Sequence, residues 1–175
     1  LTGQSDHDPE KARQLLAEAG VGEVTLSLKL PPVEGYARRG GEIIASQLEA
    51  VGIKTQTTNL EWAQWLEQVF GGKDFDLTII SHTEPLDINI YGRDDYYFGY
   101  KSEAFKQIMT DLGNETDPAK RSELFKAAQR QIADDFVNGF LFQLAKTGVQ
   151  NARLEGMWVN APTQATDLTG VYWEE

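Results

Sequence analysis

Cysteine is absent from all 175 residues, so neither a disulfide nor a thiolate metal site can form. Two histidines, His7 and His82, are the only imidazoles, and a zinc site would need several carboxylates beside them. The missing cysteine fits an oxidising compartment as well as a reducing one. Positive charge is scarce: 16 Lys and Arg stand against 27 Asp and Glu, a formal net charge of −11. Phosphate binding needs clustered Lys and Arg, so this balance argues against a nucleic-acid partner and is wrong for an anionic membrane surface. No apolar run approaches the ~20 residues that span a bilayer. No initiator Met and no signal-like apolar segment open the chain, so Leu1 is expected to begin a mature chain or an excised fragment. Nucleophile motifs, phosphate-cradling glycine loops and dinucleotide fingerprints are missing as well. Gly40-Gly41 and Gly71-Gly72 are isolated pairs that punctuate helices and turns.

What is there is the material of one globular domain. The hydrophobic fraction is 41%, enough for a real core at this length. A helix is predicted over 8–19, with Asp8 as its cap, Pro9 in its first turn and Gly20 as its stop. Ala12, Leu15, Leu16 and Ala19 give it a narrow apolar stripe. Residues 23–30 alternate with period two and end at Pro31-Pro32, which predicts a strand with one wetter face. A second helix over 36–50 is followed by a β-branched strand over 53–59. A third helix over 61–70 places Trp62, Trp65, Leu66, Val69 and Phe70 on one stripe, and a buried strand over 75–81 follows. Downstream come an aromatic loop, two helices striped by Phe105, Ile108, Met109 and Leu112 and by Leu124, Phe125, Ala128 and Ile132, and a strand over 140–144. Asp117-Pro118 starts the second of these helices and Gly113 is expected to end the first. From about Lys146 onward periodicity is weak. Met157-Trp158-Val159 and Val171-Tyr172-Trp173 are apolar patches with no evident home.

Strand–helix–strand–helix–strand alternation implies an α/β fold: an open, mostly parallel sheet flanked by helices, with right-handed crossovers. Parallel strands send their carboxyl ends one way, so loops 31–36, 60–61 and 81–91 share one rim, where ligands of open α/β sheets sit. The third loop carries His82, Glu84 and Asp87. A carboxylate there gains most against an ammonium group once water leaves the cleft. Equally, Glu84 and Asp87 suit a solvated loop turning at Pro85, and His82 suits a structural hydrogen bond. Trp62 lies in the first turn of its helix, beside the rim, whereas Trp65 reads as core. Tyr36 and Arg38 belong to the first rim loop. Arg38 suits a carboxylate, yet Arg39 next to it makes an ordinary charged surface as good a reading. Tyr96 and Tyr97 offer flat apolar faces with polar tips, for a cleft wall or for anchoring the loop.

Several segments, in order, resemble the peptide-type extracellular solute-binding proteins that feed ABC importers, solute-binding protein family 5. These are Asp8 through Gly20, and Arg38 through Ile53 with its Ile43-Ile44-Ala45, Gln47-Leu48 and Val51-Gly52-Ile53. They continue with Glu61-Trp62, Lys73-Asp74-Phe75-Asp76, the run from Tyr100 to Phe105, the run from Asp117 to Arg121, and Leu168 through Trp173. Members of this family have two lobes that close on the ligand and are much longer. The resemblance implies that 1–145 is the second lobe, and that 146–175 is a tail returning to a first lobe the chain lacks. Members often carry an Asp, sometimes after a Trp, in the loop beyond the third strand, and it receives the ligand's amino group in peptide binders. Here Glu84 is the closer match by position and Asp87 by chemistry.

The resemblance therefore implies a non-catalytic, cofactor-free protein of the periplasm or the outer membrane face, monomeric at full length. It would capture a peptide or other amino-bearing solute and deliver it to a membrane permease. The residues leave two other readings open: a glycoside or ester hydrolase using Glu84 and Asp87 as an acid/base pair, and a ligand-sensing regulatory domain. A lone lobe is expected to bind weakly, since one wall leaves a solute wet, and exposed Trp158 and Trp173 favour self-association.

Overall fold

The computed structural model describes residues 6–82, 87–143, 145, 147–161 and 166–174. Helix α1 (Pro9–Glu18) begins where its capping chemistry dictates: the Asp8 carboxylate accepts from the Lys11 amide at 2.9 Å, and Pro9 needs no donor in the first turn. The apolar stripe of α1 buries no residue fully, and Leu15 is exposed. Arg13 fastens the helix instead, donating from Nη1 to the carbonyl of Ala50 at 2.7 Å.

Strand β1 (Val24–Leu30) pairs in parallel with β2 (Ile53–Asn59) over seven residues, from Val24 opposite Ile53 to Leu30 opposite Asn59. The crossover is a π-helical turn at Glu34–Arg38 that runs straight into α2 (Arg39–Ala50). Leu28 and Leu30 point inward to meet Ala37 and Ile79. The approach of α2 to β1 is close enough that a Cβ on Gly41 would stand 2.4 Å from Leu30 Cδ1. Because Leu30 is fully buried in the β1 core, Gly41→Val is expected to cost about 2 kcal/mol by overpacking. A urea titration checks this; a midpoint equal to wild type would show that the contact relaxes freely.

The expected strand over 75–81 is reduced to a single parallel bridge between Leu28 and Leu77. Leu77 donates to Ser27 O and accepts from the Lys29 amide, both at 2.9 Å. Side chains take the flanking ladder groups. Asp76 Oδ2 accepts from the Ser27 amide at 2.7 Å and from its hydroxyl at 2.8 Å, and the Thr78 hydroxyl donates to Lys29 O at 2.7 Å. The direction is nonetheless parallel, with β1 in the middle, so the three chain ends face one way.

Hydrogen bonds from the Ser27 amide and then its hydroxyl hold the Asp76 carboxyl below the usual carboxylate range. A folded value below the unfolded one means stability that is present above about pH 4 and lost as pH falls through the folded value. Asp76→Asn is therefore expected to cost stability near neutral pH and to cost less at pH of about 3. Denaturant midpoints at the two pH values check it; an equal cost at both would be the contrary result.

Helix α3 (Trp62–Trp65) passes into a π-helical segment, Leu66–Gly71, and its buried side carries Trp65 and Val69 against Leu60 and Tyr97. A 3₁₀ turn at Asp87–Gly92 leads to α4 (Glu103–Asn114) and α5 (Pro118–Asp134), an antiparallel pair capped by Ser102 and Asp117. Gly113 lies inside α4 rather than ending it. Phe105, Ala128 and Ile132 form the core of this hairpin.

The expected strand over 140–144 does not form. Residues 140–143 carry no ladder, Phe140 and Phe142 are exposed, and Leu144 lies outside the described residues. A β-patterned run needs an edge to pair with, and residues 140–143 pair with none of the described strands. Further on, β3 (Leu154–Glu155) and β4 (Tyr172–Trp173) pair antiparallel over two residues. Gly156, at φ +82°, permits this: a Cβ there would fall 2.0 Å from Gly170 O. Trp158 and Trp173 stay exposed. Among the described residues no helix is long and apolar enough to cross a membrane.

Candidate functional site

The first strand end turns at Pro31-Pro32 into the π-helical turn that carries Tyr36 and Arg38. Tyr36 is half-buried and packs on the cluster of Leu28, Leu30, Ala37 and Ile79. Arg38 lies between two carboxylates, 3.9 Å from Glu34 and 3.6 Å from Glu61. Glu61 begins the second loop and stays in place because its amide donates to Gln64 Oε1 at 3.0 Å. Arg38 thus ties the first two strand ends together. Its Nε is buried and finds no hydrogen-bond partner among the described residues. Its terminal nitrogens meet Glu34 and Glu61 at ion-pair lengths longer than formed hydrogen bonds, and with the side chain 30% exposed these nitrogens, not the buried Nε, are the ones an incoming carboxylate can reach. Arg39, its neighbour, is exposed with Glu34 at 4.0 Å. Beside Arg38 a groove of about 680 Å³ runs between α2 and β2, lined also by Leu30, Glu42, Ser46, Lys54 and Thr57.

The second station is built on Trp65, which is 3% exposed. Its Nε1 donates to Thr78 Oγ1 at 3.1 Å, locking α3 to the 75–81 segment. Trp62, 44% exposed, stands edge-on to Trp65 with centroids 5.9 Å apart, and so presents a face beside the rim. On its other side Trp65 meets the ring of Tyr97 at 5.9 Å. The body of Tyr97 is core, stacked on Phe70 at 5.5 Å, and its hydroxyl is what reaches the rim.

That hydroxyl lies 3.2 Å from His82 Nε2, and the imidazole is parallel to the Tyr97 ring within 9°. The opposite nitrogen, Nδ1, faces Asp87 Oδ2 at 3.6 Å, with the two side chains 25% and 27% exposed. Tyr96 flanks the imidazole with centroids 6.4 Å apart and is covered by the Arg93 guanidinium at 5.4 Å. Burial pushes the Tyr91 phenol up to about 12, and the nearby charge of Asp87 adds to the rise. Burial raises Tyr97 too, with Tyr96, Tyr91 and Asp87 adding to it. Glu84 lies outside the described residues.

The fold therefore gathers His82, Asp87, Tyr96 and Tyr97 into one cluster, joined through Trp65 to Trp62. Arg38 sits apart from it, against Glu61, the residue just before Trp62. Sequence reasoning missed Glu61 as the partner of Arg38, although its place before the first turn of α3 marks it as a cap. It put Phe70 on the helical stripe without assigning it to the site, and it missed Arg93; the two buttress Tyr96 and Tyr97. Among the described residues no three His, Asp or Glu are grouped to hold a metal. The chemistry on offer is recognition: a carboxylate for a cation, a guanidinium for an anion, and aromatic faces near both.

The described residues thus form an α/β unit with polar and aromatic groups at its strand ends. The family model for bacterial extracellular solute-binding proteins, family 5 Middle, matches residues 1–104. The chain belongs to that family. Di/tripeptide-binding protein 1 of Pseudomonas aeruginosa is 25% identical over 174 residues, covering 89% of this chain and 32% of that protein. The periplasmic oligopeptide-binding protein OppA of Escherichia coli is 28% identical over 173 residues, covering 93% and 31%. The structure of the oligopeptide-binding protein AppA from Bacillus subtilis, in complex with a nonapeptide, superposes with a TM-score of 0.70 at 21% identity, over 97% of this chain and 38% of that one. The chain thus spans about a third of the length of the curated relatives it matches.

Proposed function

We propose that this chain is the second lobe of the solute-binding component of an ABC importer, and that it captures a short peptide or another amino-bearing solute. Residues 1–145 form the lobe, and 146–175 are a tail that returns to the first lobe. The parent protein works as a monomer in the periplasm or tethered at the outer membrane face. Hinge closure of its lobes couples occupancy to recognition by the permease. No reaction is catalysed. The observation that carries this reading is the pair of oppositely charged stations at the strand ends: Asp87 beside His82, and Arg38 beside Glu34 and Glu61, with the exposed face of Trp62 next to Glu61. A zwitterion with an apolar body between its charges matches that pairing. The names of the relatives, which bind di-, tri- and oligopeptides, point the same way.

Calorimetry of the full-length protein with glycyl-leucine tests it. Asp87→Ala and Arg38→Ala are each expected to weaken binding by about tenfold to a hundredfold, the worth of a charge-assisted contact. Amidating the dipeptide's carboxylate should reproduce the Arg38→Ala loss and add nothing to it. Wild-type affinity in both variants would remove these residues from the site. The isolated chain, offering one wall, is expected to bind the same dipeptide more weakly than about micromolar.

A further inference from the structure

We infer that Asn138 is a self-modification site. The amide nitrogen of Gly139 attacks its carboxamide, ammonia leaves, and water opens the ring to aspartate or isoaspartate, while a hydrogen bond to Tyr91 slows the step. This chemistry is independent of the solute site.

Asn138-Gly139 is the one Asn-Gly pair in the chain; Asn59, Asn89, Asn114, Asn151 and Asn160 are followed by Leu, Ile, Glu, Ala and Ala. Glycine matters because it brings no Cβ to the attacking nitrogen and leaves the backbone free to turn. Folding places the pair where that freedom survives. The amides of Phe136 and Val137 close α5, donating to Ala133 O at 3.2 Å and to Ile132 O at 3.4 Å, and a φ of +50° at Phe136 turns the chain off the helix. Val137 still packs on the Phe105 cluster. Asn138 and Gly139 lie just beyond it, both exposed and in neither helix nor ladder. A Cβ built on Gly139 would meet nothing within 4 Å, so there is room for a ring to close. Asn59, by contrast, ends β2, Asn114 ends α4 and Asn89 lies in the 3₁₀ turn, where regular hydrogen bonding fixes the backbone.

The carboxamide is tethered all the same. Asn138 Nδ2 donates to the Tyr91 hydroxyl, and Tyr91 is anchored in turn, its ring against Phe98 at 5.0 Å and Phe105 at 6.1 Å. Ring closure swings Cγ onto the Gly139 nitrogen, so the carboxamide must first leave that phenol.

Water and hydroxide are the only other reactants. Hydroxide takes the Gly139 amide proton, and the nitrogen lone pair forms a bond to Asn138 Cγ. The Cγ–Nδ2 bond breaks, and Nδ2 departs as ammonia with a proton from water. Water then adds to either carbonyl of the cyclic imide: one opening gives aspartate, the other isoaspartate, whose main chain is longer by a carbon. Nothing is oxidised or reduced. The product carries a negative charge and lacks the donor that Tyr91 accepts, at the point where the chain leaves α5.

The test keeps the full-length protein folded at mildly alkaline pH, with samples taken over time and digested with trypsin. Cleavage after Arg130 and Lys146 gives a peptide, 131–146, in which Asn138 is the only asparagine. Mass spectrometry reads the exchange of NH2 for OH, and chromatography separates the aspartate and isoaspartate forms. Asn138 is expected to convert ahead of the other asparagines named above, and Gly139→Ala to erase that lead. Tyr91→Phe is expected to speed conversion about twofold to tenfold, the worth of one hydrogen bond expressed as a rate. Earlier conversion at any of those other asparagines, or a lead that survives Gly139→Ala, overturns the site. An unchanged rate in Tyr91→Phe overturns the restraint. Should that variant fail to fold by circular dichroism, wild type in urea decides instead: the unfolded chain is expected to convert faster, and an equal or slower rate overturns the restraint.

Discussion

Trp65→Ala is expected to lower the unfolding free energy by about 3–5 kcal/mol, the range for removing a large buried aromatic. The indole is 3% exposed and fills the space among Leu60, Val69 and Tyr97. Its loss would leave a cavity that the parallel strands cannot close, because β1 is pinned to β2 along seven positions. The same indole donates to Thr78 Oγ1, and that hydroxyl donates on to Lys29 O, so truncation also weakens one of the side-chain clasps beside the Leu28–Leu77 bridge. Trp65→Phe separates the two contributions: it retains most of the apolar volume and should cost about 1 kcal/mol for the lost hydrogen bond plus the smaller ring. Urea unfolding monitored by circular dichroism measures both. A Trp65→Ala loss under about 1 kcal/mol would contradict the account, since surface aromatics give values of that size. The site should suffer with the core. Tyr97 rests on Trp65 and His82 rests on Tyr97, so the imidazole would lose its floor.

Phe105→Ala is expected to cost a similar ~3–5 kcal/mol, through a different part of the molecule. Phe105 is wholly buried between α4 and α5, against Ala128 and Ile132, and its ring meets Tyr91 and Tyr100 edge-on at 6.1 Å each. Ala128 lies on the facing helix and has only a methyl group, too short to move into the gap, so the cavity persists. Hydrogen exchange should show the largest loss of protection in α4 and α5, and a smaller one in β1, as expected when a helical hairpin is its own cooperative unit. Uniform loss across both would show instead that the hairpin and the sheet unfold as one body. Because Tyr91 sits on this cluster and lies near Asp87, some loosening of the 3₁₀ turn is expected as well.

The order of the helices, the starts of α1 and α5, and the bounds of β1 and β2 were legible without coordinates. Asp8-Pro9 and Asp117-Pro118 cap and start α1 and α5 by hydrogen bonds within three residues, and period-two alternation in β1 marks the face that Leu28 and Leu30 bury. Signals of that kind are complete within a short window of chain. Where a partner from elsewhere was required, the reading failed. Residues 75–81 carry strand composition yet make one bridge, because Asp76 and Thr78 spend side chains on β1; residues 140–143 carry it and make none.

Pairs of identical neighbours show the limit of sequence most clearly. Nothing along the chain distinguishes Arg38 from Arg39, or Tyr96 from Tyr97. Folding puts Arg38 between Glu34 and Glu61 and leaves Arg39 on the surface; it sinks Tyr97 beside Trp65 and leaves Tyr96 at the rim. The chain by itself determined that three strand ends point one way and that imidazole, carboxylates and guanidinium lie in their loops, because caps, breakers and hydrophobic period act locally. Only the tertiary structure decided which of those groups meet and which are spent on each other. Charge partners and burial come from residues distant in sequence, Glu61 for Arg38 and Tyr97 for His82, and no local pattern encodes the distance between them.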